Sequence, residues 1–374
     1  MKQLFQTLIS VLCLCTLASC KEEYEPQIKS NEQSVLVVEG ILNSGDEPTT
    51  VKLSRTTKLN DSAMVQPVTG AALAVESESG SSTALYESAP GTYNGFLTLD
   101  PTEKYQLRIT TADQKAYASD FVPVRQNPPI DSVNWTRDSS GVAIFVNTHS
   151  PGNNTHFYRW EFEEVWEIRS GYVAQGAVDD GIMEPLYPGE SLYYCWKNYN
   201  SSNLILANTT QLASDVVFEK PLIKIRDGDD RLSERYSVLV RQYALDKQGY
   251  DFYQLLKKNT ESLGSIFDPQ PTEITGNVHA LSDTTAPVIG YITATTVNTA
   301  RLWITRDEVP KWKPWGDCSQ AMVLNRHTDD ISYYTSGHEW LIYAEDLNGN
   351  VYMARSPCVS CRIRGGSTHR PFFW

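Results

Sequence analysis

After its first twenty residues the chain has no apolar run approaching eighteen residues, so no later segment is expected to span a bilayer as a helix. Histidine is scarce, with six copies, and none lies three to five residues from another. That spacing excludes a helical pair of histidine metal ligands. His338-Glu339 begins like H-E-x-x-H, but Ile342 stands where the second histidine must be. No G-x-S-x-G, P-loop or Rossmann fingerprint is present. Positive charge is also short: 32 Lys and Arg stand against 45 Asp and Glu, a net charge of -13. Nucleic acid needs a basic face, so it is not expected as a partner, and neither is electrostatic adhesion to anionic lipid. Asp227-Gly228-Asp229-Asp230 and Asp346-Leu347-Asn348-Gly349-Asn350 are oxygen-rich, but neither has the spacing or closing glutamate of an EF-hand. They read as turns. No metal or cofactor is expected.

What is present begins at the N-terminus. Lys2 and the apolar stretch Leu8 to Leu17 have the form of a signal peptide over residues 1–19. Leu17-Ala18-Ser19-Cys20 has the form of a lipobox, which makes Cys20 the expected lipidated residue of the mature chain. Several acyl chains would hold it to a membrane, each buried methylene contributing about 0.8 kcal/mol. Residues 20–33 are polar and read as a tether.

Residues 20–374 are enough for two or three domains, and their composition is that of a folded protein. Residues 34–125 carry short strand patterns at 34–42, 50–54, 71–76, 84–87, 105–111 and 116–122. Turn signals separate them, among them Pro90-Gly91 and Asp100-Pro101. This spacing predicts an immunoglobulin-like β-sandwich, with Tyr105 in the position of a corner tyrosine. Pro123 to Pro129 reads as a linker. Residues 126–374 continue with strand patterns at 130–136, 142–148, 157–168, 204–206, 216–218, 288–295, 299–305, 333–344 and 351–356. In the 157–168 pattern the alternation slips near Val165, which suggests a bulge. Asn348-Gly349 predicts a hairpin between the last two strands. The expected architecture is mostly β: two immunoglobulin-like sandwiches, the second enlarged by a short inserted helix near 246–261.

That helix belongs to the most legible stretch. Tyr236 to Leu245 is a strand dominated by β-branched and aromatic residues, with apolar groups on both faces; its charged residue, Arg241, needs a carboxylate or carbonyl partner if buried. Asp246 stands where an N-cap belongs, Phe252, Leu255 and Leu256 follow at helical spacing, and Phe267 to Pro271 ends the element.

VRQYALDKQGYDFY from Val240, KNTESLGSIFDPQPTEITGNVHA from Lys258 and APVIGYITA from Ala286 resemble the bacterial outer-membrane lipoprotein family catalogued as domain of unknown function 4249. LVVEG at 36–40, VKLSRT at 51–56 and the closing CVSCRIRGGSTHRPFFW resemble it too. The resemblance implies a setting beside TonB-dependent receptors in Bacteroidota and carries no catalytic residue. Lys21, Glu22 and Glu23 resemble the surface-export signal of such lipoproteins, which implies a protein on the outer membrane facing the exterior.

Cys13 and Cys15 leave with the signal peptide, so Cys195, Cys318, Cys358 and Cys361 remain. An even number in an extracytoplasmic chain suggests two disulfides, with three pairings open. A four-cysteine zinc site lacks its second CxxC. The expected pairing splits Cys358 and Cys361, one reaching Cys318 and the other Cys195. Aromatic side chains supply the candidate ligand contacts: Tyr193, Tyr194 and Trp196 in one turn-rich segment with Tyr187 and Tyr199, and Trp312 and Trp315 flanking Lys313-Pro314. Core filling is the plainer reading of the same rings. Glu161, Glu163 and Glu164 are the densest carboxylates and read as a solvated strand face. The expected function is a ligand-binding or accessory subunit of a TonB-dependent nutrient transporter. The alternatives are a structural or adhesive surface module and, less favoured, a hydrolase.

Overall fold

Leu36–Asn43 and Thr49–Arg55 pair antiparallel from Leu36 opposite Arg55 to Ile41 opposite Thr50. Val38, Val51 and Leu53 fall on the buried side, and Glu39 and Lys52 on the other. These strands begin the fold in a computed structural model. It describes residues 34–374 apart from 58–64, 153, 180–181, 187–190, 262–273, 275, 313–317, 320, 336 and 338, and only the backbone of 177–179 and 182–185. Cys20, the tether, Tyr187, Trp315 and the turn Phe267 to Pro271 lie outside the described residues.

The protein is mostly β, as expected. The N-terminal sheet, however, closes on itself. Its strands run in the order Lys104–Thr110, Ala72–Ser77, Ser82–Ala89, Thr92–Gly95, Thr49–Arg55, Leu36–Asn43, Ala294–Thr295 and Val122–Arg125. Val122–Arg125 then pairs back onto Lys104–Thr110. The expected sandwich over 34–125 is therefore corrected to an eight-stranded barrel-like sheet. Closure removes the exposed edges that an open sheet must protect. Its inside is filled by Leu36, Leu53, Leu73, Tyr93, Leu107 and Ile109 with their neighbours. Each such side chain contributes about 1.5–3 kcal/mol on burial.

The strand between Leu36–Asn43 and Val122–Arg125 comes from residues 294–295, and Val278–Ala280 and Val288–Gly290 also join this sheet. Residues expected in the second domain thus complete the first, and 35–374 forms one compact unit. In addition, the first part of the expected linker is the strand Val122–Arg125. Its remainder is pinned: Gln242 Nε2 donates to Pro128 O at 2.8 Å, and Asn298 Nδ2 to Asn127 O at 2.8 Å. Tyr105 Oη accepts from the Asp100 N–H at 2.7 Å, so its ring anchors the turn before its own strand.

The centre of the molecule is Arg235–Leu245, lying between Phe157–Arg169 and Asn298–Thr305. Tyr194–Asn200 and Ile205–Asn208 extend this sheet. One face packs on a second sheet of Ile130–Asp138, Gly141–His149 and Val216–Arg226. Tyr158, Trp160, Tyr236, Val238 and Val240 meet Ile144, Val146 and Ile225 there. Gln242 is a polar node inside this core. It accepts from Trp160 Nε1 at 2.9 Å and donates to Thr148 Oγ1 at 3.1 Å as well as to Pro128, which answers the cost of burying an amide.

No bulge forms at Val165: the register with Arg235–Leu245 is continuous from Phe157 to Glu167. The alternation slips because Glu164 points inward as a buried carboxylate, and Val165, on the other face, is also covered. Lys247–Glu261 is the inserted helix. Asp246 caps it, its Oδ1 accepting from the Gly249 N–H at 2.6 Å and from Tyr291 Oη at 2.9 Å. Near the C-terminus Trp340–Glu345 and Asn350–Arg355 form the predicted hairpin, with Gly349 at φ 76° in its turn. The strand expected from 333 is shorter, because Ile331–Thr335 is a helical turn whose Ile331 is buried.

Candidate functional site

Consecutive side chains of a strand point to opposite faces. While Tyr158, Trp160 and Phe162 enter the core, Arg159, Glu161 and Glu163 look the other way. Across the ladder Arg159 stands opposite Tyr243, Glu161 opposite Arg241 and Glu163 opposite Leu239. This outer face is covered at one end by the helix. At the other end lies the tail: Trp374 packs on Trp303 at 5.0 Å between ring centres, and its Nε1 donates to Glu167 Oε2 at 3.2 Å. Arg301 lies 3.8 Å from the Phe373 ring centre.

Between the helix, this face and the outside of the first sheet is a cleft of about 900 Å³. The helix contributes Phe252, Tyr253 and Leu256, and the first sheet Ile41, Thr50 and the loop residue Glu47. The segment Ser201 to Leu204 forms a rim, fixed where the Leu204 N–H donates to Glu261 Oε1 at 2.8 Å. The guanidinium of Arg159 lies over the rings of Tyr243 and Tyr253, 5.4 and 4.4 Å from their centres. It pairs with Glu161, whose other oxygen accepts from Tyr243 Oη at 2.9 Å. Burial pushes the Tyr243 hydroxyl above the ordinary tyrosine range, so it stays a donor at neutral pH. Arg241 Nε donates to Glu47 Oε2 at 3.1 Å, and Nη1 lies 3.7 Å from Glu163. The carboxylate partner that Arg241 demanded therefore comes from a loop almost two hundred residues away in sequence.

The expected aromatic contacts do not assemble here. Trp312 is 4% exposed, its Nε1 donates to Asp229 O at 2.8 Å, and Arg137 lies over its ring. It fills the core beneath its loop and is corrected to a packing residue. Tyr193 and Tyr194 meet edge to face at 4.7 Å, with Tyr194 exposed, and Arg169 lies over the Tyr194 ring. The Trp196 backbone pairs with Ser367 in both directions, which binds the tail to its strand. Trp315 and Tyr187 lie outside the described residues. Glu164 is corrected from solvated face to buried carboxylate. Sequence reasoning missed Arg159, Tyr253 and Glu47. The odd positions of the 157–168 pattern marked one face, but nothing local showed that a helix and a distant loop would roof it.

The cysteines pair as Cys195 with Cys361 and Cys318 with Cys358, each with Cα atoms 5.7 Å apart. The split pairing is the expected one. The carboxylates of the 227–230 loop are used internally: Asp229 by Arg231, Asp230 by Lys197 and Arg364. Among the described residues no helix is long and apolar enough to cross a membrane.

These features define a disulfide-tied, mostly β protein with a mixed polar and aromatic cleft. The chain belongs to the family described as Domain of unknown function (DUF4249), whose model matches residues 21–301. No curated protein matches the sequence. Among solved structures, a protein from Corynebacterium diphtheriae described as membrane anchored is 11% identical, with a TM-score of 0.17. The match covers 57% of this chain and 55% of that one, so this chain spans about half the length of that protein. So slight a likeness carries no argument about fold or function.

Proposed function

We propose that this protein is a lipid-anchored, ligand-binding or accessory subunit of a TonB-dependent nutrient transporter, held at the outer membrane and facing the exterior. The observation that carries the reading is the cleft. Its volume is in the range of small-ligand sites, and it combines apolar walls with a few fixed polar groups, the usual composition of such sites. The Leu17-Ala18-Ser19-Cys20 sequence supports anchoring, and Lys21 to Glu23 support display. Anchoring would hold the cleft at the membrane surface, where a receptor could take up a captured ligand.

The test is a pull-down of the tagged full chain from gently solubilised outer membranes. Co-purification of one TonB-dependent receptor in near-stoichiometric amount is the expected result. Recovery of the chain alone would defeat the partnership and favour a structural or adhesive module. That second reading draws on Tyr86, 74% exposed on the outside of the first sheet, and Phe96, 72% exposed just after the strand Thr92–Gly95. Large exposed rings on a folded surface often mark protein contacts.

A further inference from the structure

We propose that the cleft recognises a carboxylate group on its ligand, read by Arg241 beside Arg159, and that Glu47 holds that group's place until the ligand arrives. This rests on the ligand-binding reading above and names the chemistry of the same site.

Arg159, Arg241 and Arg301 project from three adjacent strands, and Glu161 and Glu163 are the carboxylates set among them. Glu161 is engaged on both oxygens, by Arg159 and by Tyr243. Glu163 reaches only to 3.7 Å from Arg241, beyond a good hydrogen bond. Among these five groups cations outnumber anions by one. Burial lowers the Arg301 guanidinium from its ordinary value, and Arg241 adds to the effect while Glu163 opposes it, as expected for crowded cations.

Glu47 supplies the missing negative charge from outside the sheet. It sits in the turn between Leu36–Asn43 and Thr49–Arg55, and its side chain remains 40% exposed. It meets Arg241 through Nε alone. A guanidinium has five donors in a planar fork and is built for two parallel bonds to a carboxylate. Among the described residues, the other edge of the Arg241 fork makes no hydrogen bond. Arg159 is in a similar state. Two tyrosine rings fix its plane, and its Nε is buried with no hydrogen-bond partner among the described residues. Such a group is costly unless something pairs with it. A ligand carboxylate at Arg241 would use the open edge of the fork and displace an exposed, singly bonded side chain. The adjoining walls of Ile41, Leu204, Phe252 and Leu256 would take the apolar part of the same ligand.

The experiment is isothermal titration calorimetry on the full chain in detergent at low salt. The probes are trigalacturonate and triglutamate, with the neutral sugar galactotriose and the neutral peptide trialanine amide as controls. The expected result is binding of an acidic probe but not of its neutral counterpart. Which acidic probe binds tells whether the carboxylate comes on a sugar or on a peptide. Glu47→Gln should tighten binding about two- to fivefold, the range for release of an exposed ion pair. Arg241→Lys keeps the charge but loses the fork and should weaken binding at least tenfold. Near-ultraviolet circular dichroism on each variant shows whether it has folded. Equal binding of neutral and acidic probes overturns the carboxylate assignment and leaves ligand binding standing. So does a Glu47→Gln affinity equal to or weaker than the parent's. If none of the four probes binds, the assignment is likewise overturned, whereas the receptor partnership is judged separately by the pull-down.

Discussion

Arg231 donates to Glu164 at 3.0 Å in a core where the Glu164 side chain is 1% exposed. Tyr236 Oη donates to the same carboxylate at 2.7 Å, and Asp229 holds the far side of the guanidinium at 3.0 Å. Burial pushes the Tyr236 hydroxyl far above its ordinary value, and the charge of Glu164 adds to this, so the phenol stays a donor. Removing one partner of a buried pair strands the other charge, at a cost of about 3–5 kcal/mol. Arg231→Ala is therefore predicted to destabilise the chain by about that amount, and Glu164→Gln by less, since the amide can still accept from Tyr236. Urea denaturation followed by tryptophan fluorescence measures both. A loss below about 1 kcal/mol for Arg231→Ala would show that the cluster is not closed as described.

The parallel pairing that helps complete the first sheet depends on close approach. A Cβ added at Gly290 would lie 2.6 Å from Val38 O, a backbone atom that cannot turn aside. Gly290→Ala is predicted to cost about 1–3 kcal/mol, as overpacking does. An unchanged denaturation midpoint would mean that Val288–Gly290 does not hold its register against Leu36–Asn43.

Each disulfide should contribute about 2–4 kcal/mol, with more expected from Cys195–Cys361, whose partners are 166 residues apart against 40 for Cys318–Cys358. Thermal melts of Cys195→Ser and Cys318→Ser should both fall, the first further. The opposite order would show that strain or residual structure in the unfolded chain outweighs loop length.

Stability should also fall in acid. Burial raises the Asp229 carboxyl, but hydrogen bonds and charge from Arg231 outweigh it, and the net position is below the ordinary 3.8. A carboxyl lowered by folding gives stability that is fully present above its unfolded pKa and is lost as pH falls through the folded value. The loss from Asp229 should therefore begin near pH 4 and continue below it. Asp346, lowered by bonds from Asn350, acts in the same direction. Denaturation midpoints measured from pH 7 to 2.5 test this. Arg231→Ala should flatten the Asp229 part of the slope, and a slope unchanged in that variant would refute the assignment.

Trp312→Ala separates packing from binding. A buried tryptophan truncated to alanine costs about 3–5 kcal/mol. The loss should show in stability, with affinity for cleft ligands unchanged in the folded fraction. Weakened binding without a stability change would return Trp312 to the ligand contacts.

Much of the fold was legible because its signals are local. Alternation marked Thr49–Arg55 and Phe157–Arg169, Asp246 marked the helix start, and Asn348-Gly349 marked the last hairpin, since each depends on neighbours within a few residues. Arg241 was legible as a demand: a cation in an apolar strand had to meet a carboxylate. Which carboxylate answered was not, because Glu47 reaches it only once two sheets have packed. The loop tryptophan misled for a related reason. Exposure is a property of what lies above a residue, and sequence proximity to Lys313-Pro314 says nothing of the Asp229 carbonyl that receives the Trp312 indole.

Composition, period and short motifs were enough for the mostly β character, the apolar stretch Leu8 to Leu17 with Cys20 after it, the four cysteines and the family. It took the packed chain to bring Ala294–Thr295 into the first sheet, to turn Glu164 inward while Glu161 stays out, and to place Arg159, Arg241 and Glu47 in the same cleft. These are contacts between residues far apart in the chain, and chain position does not encode the distance between two strands until the apolar faces have chosen their partners.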